Sequence, residues 1–173
     1  QGWTDGLPVV PPTEGRVRDF LEVAGRDPSD IVGTVPERGR VITVEKIAIN
    51  SVMAGCRPEY MPVILASIEA MSDPVHNLHG AAATTAGPAE LLLINGPIRH
   101  KLGFNSKHNV LGPGNRANAT VGRAIRLILM NVCGSIPGVL DKASLGHSGK
   151  FSYCIAEDEE GSPWQPFHAD RGF

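Results

Sequence analysis

Apolar residues recur at helical spacing in four stretches of this chain. Val17, Phe20 and Leu21 line one face behind Thr13, which predicts a helix from 14 to about 23. Val44, Ile47, Ala48 and Val52 repeat the pattern behind a second N-cap, Thr43, until Gly55-Cys56-Arg57 breaks it. Pro58 suits the first turn of a third helix running to about 71, with Met61, Ile64, Leu65 and Ile68 as its stripe; Asp73-Pro74 ends it. The broadest face is Val121, Ala124, Ile125, Ile128, Leu129 and Val132. It predicts a fourth helix over about 116–133 with Gly134 as C-cap.

Strand signals are fewer. Residues 89–94 form a continuous apolar run between Gly87-Pro88 and Asn95-Gly96-Pro97, as in a strand covered on both faces. Residues 31–35 and 151–156 read as two more short strands, the latter ending in a solvated run, Glu157-Asp158-Glu159-Glu160. The opening residues 2–12 are extended, because their prolines fix φ and lack donors. The tail from Trp164 to His168 has no regular pattern. With no internal repeat, the expectation is one α/β or α+β domain over 1–173, a small sheet against about four helices with long Gly/Pro-rich loops.

Composition narrows the class. Apolar content of 42% and charged content of 20% in 173 residues suit a soluble globular protein with one core. A net charge of −2 argues against a nucleic-acid surface, and no apolar run is long enough to span a membrane. Three scattered cysteines suit reduced thiols in the cytoplasm, with neither a disulfide framework nor a CxxC metal site. Twenty glycines and fourteen prolines imply long shaped loops, and a core that is short relative to its loops favours a homo-oligomer. The chain starts at Gln1 with no basic-then-apolar leader, which fits the carboxy-terminal part of a longer polypeptide.

The densest polar chemistry lies in residues 95–118. Asn105, Lys107, Asn109, Gly112, Gly114, Asn115, Arg116 and Asn118 gather where the fourth helix begins. Free amides and the positive end of a helix dipole favour a small anion there, against the plainer alternative of capping by Asn115 or Asn118. Gly112-Pro113-Gly114-Asn115-Arg116-Ala117 fits a G-x-G-x-x-A dinucleotide fingerprint, but no buried strand precedes it; Ser148-Gly149-Lys150 lacks the earlier glycine of a phosphate loop. No cofactor is named by either.

Cys56, two residues before Pro58 and beside Arg57, is placed to lose its proton and act as a nucleophilic or redox thiolate; the alternative is a small buried hydrophobe. Cys133 and Cys154 read as packing residues, with a Cys56–Cys154 pair left open. His147, in the glycine-flanked turn Gly146-His147-Ser148-Gly149, suits a general base or an anion contact. His76 and His79 have i, i+3 spacing without a third ligand, so no metal site is assigned.

GWTDGLPVVPPT, AINSVMAGCRPEYMPV, GPGNRANATVGRAIRL and LGHSGKFSYCIAE resemble a bacterial family associated with UGSC-type (seleno)proteins. The resemblance spans nearly the whole chain and implies redox or sulfur/selenium chemistry nearby, with a redox protein as partner or fused domain. Cys133-Gly134-Ser135 is followed by Ile136, so that partner's redox motif is not present here. The leading expectation is an enzyme, or the catalytic half of one, using thiol chemistry on a small anionic molecule. A non-catalytic assembly subunit and a histidine-dependent metal hydrolase or lyase are the alternatives.

Overall fold

A computed structural model describes residues 2–173. Helix α1 (Glu14–Ala24) begins as Thr13 leaves extended backbone, and ends where Gly25 turns left-handed and donates its N–H to the Leu21 carbonyl. β1 (Ile31–Val35) and β2 (Arg40–Thr43) form an antiparallel hairpin across a single 3-10 turn at Pro36–Arg38. Gly33 is required there, because the Ser72 side chain fills the space a Cβ would take. Thr43 caps α2 (Val44–Ala54), accepting the Lys46 N–H. A 3-10 turn at Pro58–Tyr60 leads into α3 (Met61–Met71).

Three short helices follow no periodicity a sequence reading can detect: α4 (Leu78–Ala82), α5 (Ile98–Leu102) and α7 (Phe167–Asp170). α4 starts at Asn77, whose side chain accepts the Gly80 N–H. The fourth long helix is α6 (Arg116–Asn131), and a parallel pair is made by β3 (Leu92–Ile94) and β4 (Cys154–Ala156). Both strands are shorter than their apolar runs, since Leu91 and Phe151 fall outside them and stay exposed. Leu93 is exposed as well, so the expectation of a strand covered on both faces is corrected.

The described residues form an α+β unit with seven helices and two two-stranded sheets. α2 and α6 pack at its centre, where Ile47, Val121, Leu127 and Ile128 are fully buried. Gly122 lets α6 approach the chain entering β4; an added Cβ would sit 2.6 Å from the Tyr153 nitrogen. The extended amino-terminal arm runs across this pair. Its Asp5 takes a bidentate ion pair from Arg123 at 2.8 Å, and Val10 N–H donates to the Met53 carbonyl. Among the described residues, no helix is long and apolar enough to cross a membrane.

Candidate functional site

The loop before α6 is stitched by its own asparagines. Asn115 accepts the Asn118 N–H at 2.9 Å and donates its amide to the Gly103 carbonyl. Asn118 is buried; it accepts the Asn105 N–H and donates to the Asn105 carbonyl. Asn105 accepts the Lys107 N–H and donates to the His108 carbonyl. Asn109, at φ +58°, donates to the Pro113 carbonyl and fills the space beside Gly112, while Gly114 takes φ +117°. Arg116 donates Nε to the Gly55 carbonyl, and Lys107 lies 3.3 Å from the Asp158 carboxylate. The asparagine side chains thus bond the loop itself and Asn115 caps α6, as in the plainer alternative, while Asn105, Asn109, Gly114 and Asn115 also line an open cleft of about 500 Å³. Main-chain order here follows from satisfying buried polar groups.

The thiol environment is the reverse of the one expected. Cys56 does not open a helix, because the 3-10 turn intervenes before α3. It is buried and donates Sγ–H to the Thr120 carbonyl in α6. Burial pushes the thiol up to about 12, and the charges of Arg116 and Arg123 do not offset this. Burial likewise raises Cys133 to about 11 and lifts Cys154. All three are free, so the Cys56–Cys154 pair is not formed. His76 pairs with Glu90 at 3.0 Å, whereas His79 Nδ1 accepts from Arg38 Nε; the two rings share no ligand site.

Charge instead converges between α6 and residues 134–151. Asp141 is buried and accepts from Lys150 Nζ on both oxygens, at 2.7 and 2.8 Å, and from Arg126 Nη2 at 3.2 Å. Burial raises its pKa, but the Lys150 hydrogen bonds, the Ala143 N–H and the two cationic charges outweigh burial and hold the carboxyl below its ordinary range. This cluster floors an open cleft of about 870 Å³ that Asp5, Ile136, Leu145, His147 and Phe151 also line. On its other side lies a cavity of about 30 Å³, bordered by Glu90 and Ser135. That volume is about enough for one water molecule.

His147 is exposed at the cleft rim, its ring centre 5.5 Å from that of Tyr153. Its Nδ1 accepts the Gly149 N–H at 3.0 Å, so the neutral ring carries its proton on Nε2. The ring is therefore a donor in this tautomer, which suits the expected anion contact rather than the general base. A second cleft of about 410 Å³ brings His147 together with Gly112, Asn118 and Cys154, but not with Cys56. The spacing of the chain hides Asp141 and Arg126, which lie fifteen residues apart. One signal was available: Arg123 and Arg126 stand i, i+3 on α6, at the margin of its apolar face.

The acidic run is not the solvated segment expected after β4. Arg99, 3% exposed, reaches into it and pairs with Glu159 and Glu160 at 2.8 Å each. The Arg99 hydrogen bond, joined by one from His100, holds Glu160 well below the usual carboxylate range. Glu157 and Glu159 are half-buried. No family model, curated protein or solved structure matches this chain.

Proposed function

We propose that this chain is an enzyme, or the catalytic half of one, acting on a small carboxylate- or phosphate-bearing molecule in the cleft floored by Asp141, Lys150 and Arg126. One observation carries the reading: two cations share a single buried carboxylate at the floor of an open cleft. Arg126 plus Lys150 minus Asp141 leaves one positive charge in a poorly solvated place, where an anion is held more strongly than in water. Lys150 has a third ammonium hydrogen and Arg126 has further N–H groups to offer. His147 Nε2–H then serves as a hydrogen-bond donor to the bound molecule.

Electrostatic binding and hydrogen-bond donation, rather than thiol chemistry, are favoured, because no cysteine lines this cleft and burial disfavours every thiolate. Three free thiols suit a reducing compartment such as the cytoplasm. The test is a thermal shift with inorganic phosphate and with succinate on tag-free protein. Saturating to ten times Kd adds about 1.4 kcal/mol, or a rise of roughly 3–6 °C. Lys150→Met and Arg126→Gln are expected to lose that response, and a variant lacking all three cysteines to retain it. An equal response in wild type and both charge variants overturns the proposal.

A second reading rests on the apolar residues bordering the same face: Trp3, Ile136, Leu145 and Phe151 are all exposed. They favour docking of a second copy or of a redox protein, the partner implied by the UGSC-family resemblance. Light scattering that reports a dimer or a stable heterocomplex, with no anion response, supports it over the enzyme.

A further inference from the structure

We propose a divalent-cation site formed by Glu157, Glu159 and His168, at the junction of β4 with α7 and apart from the cleft described above. One ligand atom from each of the three side chains lies within 4.8 Å of the other two. The set is two carboxylate oxygens and an imidazole nitrogen, which suits Zn²⁺ or Mn²⁺. A group of acids alone would be an ordinary solvated face. Two further observations separate this one from that.

The first is His168. Its Nδ1 is an enclosed atom with no hydrogen-bond partner among the described residues. It faces Glu159 Oε1 at 3.8 Å, too far for a hydrogen bond. Two donors on one ion at about 2.1 Å stand about 3.0–3.4 Å apart, so a small side-chain rotation brings both onto a shared cation. The second is the charge balance. Arg99 is committed to Glu159 Oε2 and to Glu160, His100 to Glu160, and Lys107 to Asp158. Glu157, half-buried, has no cationic partner among the described residues. A carboxylate withdrawn from water without a counter-charge is costly, and a bound cation supplies one.

The carboxylates are also oriented as metal ligands usually are. The Phe167 N–H donates to both Glu157 oxygens at 3.1 and 3.0 Å, and the Asn95 amide donates to Oε2. The Gly96 N–H donates to Glu159 Oε1 at 2.6 Å. Such outer contacts fix the direction of a ligand's lone pairs and raise affinity. The contact from Phe167 also fixes the start of α7, and hence the position of the adjacent His168.

The test uses tag-free protein stripped with a chelator and titrated calorimetrically with ZnCl₂ and with MnCl₂. One equivalent is expected to bind and to raise the melting temperature. His168→Ala removes a side chain that makes no hydrogen bond among the described residues, so its fold is expected to survive. It should weaken binding at least tenfold and abolish the melting shift; Glu157→Gln should do the same. His100→Ala touches only Glu160 and should bind within about twofold of wild type. The proposal is overturned if neither ion binds, or if His168→Ala binds as wild type does, which would place the ion elsewhere.

Discussion

Replacing Asp141 by asparagine strikes the centre of the proposed anion site while keeping the shape of the side chain. The change deletes the charge that holds Lys150 at 2.7 Å and Arg126 at 3.2 Å. The three side chains are nearly enclosed, with exposures of 7% for Asp141, 14% for Lys150 and 11% for Arg126. Removing one partner from a buried ion cluster costs about 3–5 kcal/mol, because the remaining charges stay without a counter-ion. Lys150 and Arg126 both border the cleft and regain some water, so about 3 kcal/mol is expected. For a chain of this length that lowers Tm by roughly 6–12 °C.

The pH dependence fixes the sign. Asp141 titrates below its ordinary 3.8 in the folded protein. As pH falls, the unfolded chain takes up this proton first. The stabilisation is therefore complete above the ordinary value and is lost as pH falls through the folded one. Melting curves of wild type and Asp141→Asn should differ fully at pH 7 and converge in acid. Adding Lys150→Met should restore more than half of the loss, since it removes a stranded cation. A loss under about 1 kcal/mol at pH 7, or a gap that widens in acid, refutes the reasoning.

Two other expectations concern the core and the loop. With all three thiols buried, native protein at pH 7.5 should react with a thiol reagent only as fast as it unfolds, and yield three equivalents in urea; one thiol reacting at once would restore the nucleophile reading. Since Cys56 and Cys133 rise from 9.0 to about 12 and 11, stability should be whole below pH 9 and decline as pH climbs toward those values, measurable by melts from pH 8 to 11. Asn118→Ala removes the buried clamp on Asn105 and should cost about 2–3 kcal/mol, with faster hydrogen exchange over residues 105–113. Unchanged exchange there would mean that the loop is held by something other than its asparagines.

The long helices were legible because their apolar periodicity extends over eleven residues or more, long enough to exclude a strand. The caps at Thr43 and Asn115 are readable from residue type alone, although Thr13 makes no side-chain cap. What escaped was short or paired at a distance. β2 has only four residues and a burial pattern set by the hairpin, and α4, α5 and α7 are one turn each. The asparagine-rich loop stands out in the sequence as a concentration of polar groups. Its residues also occur wherever a chain bonds to itself, and sequence spacing does not distinguish a donor aimed at a ligand from one aimed at a neighbouring carbonyl.

The same distinction explains where the candidate chemistry lies. The amino end of α6 is capped by Asn115 of its own loop, while the side of the helix carries Arg123 to Asp5 and Arg126 to Asp141. Asn131 continues that line, donating to the Asn50 side chain and to the Trp3 carbonyl. One helix therefore gathers the amino-terminal arm and the segment after residue 134, and the cleft opens where those two meet. Asp5 and Arg123 are separated by 118 residues in the chain, so no local motif could announce the cleft that they help to wall. It follows that Arg123→Met should slacken the arm and widen the cleft without touching the Asp141 cluster. Anion binding would then weaken through lost enclosure, while Lys150 and Arg126 remain in place.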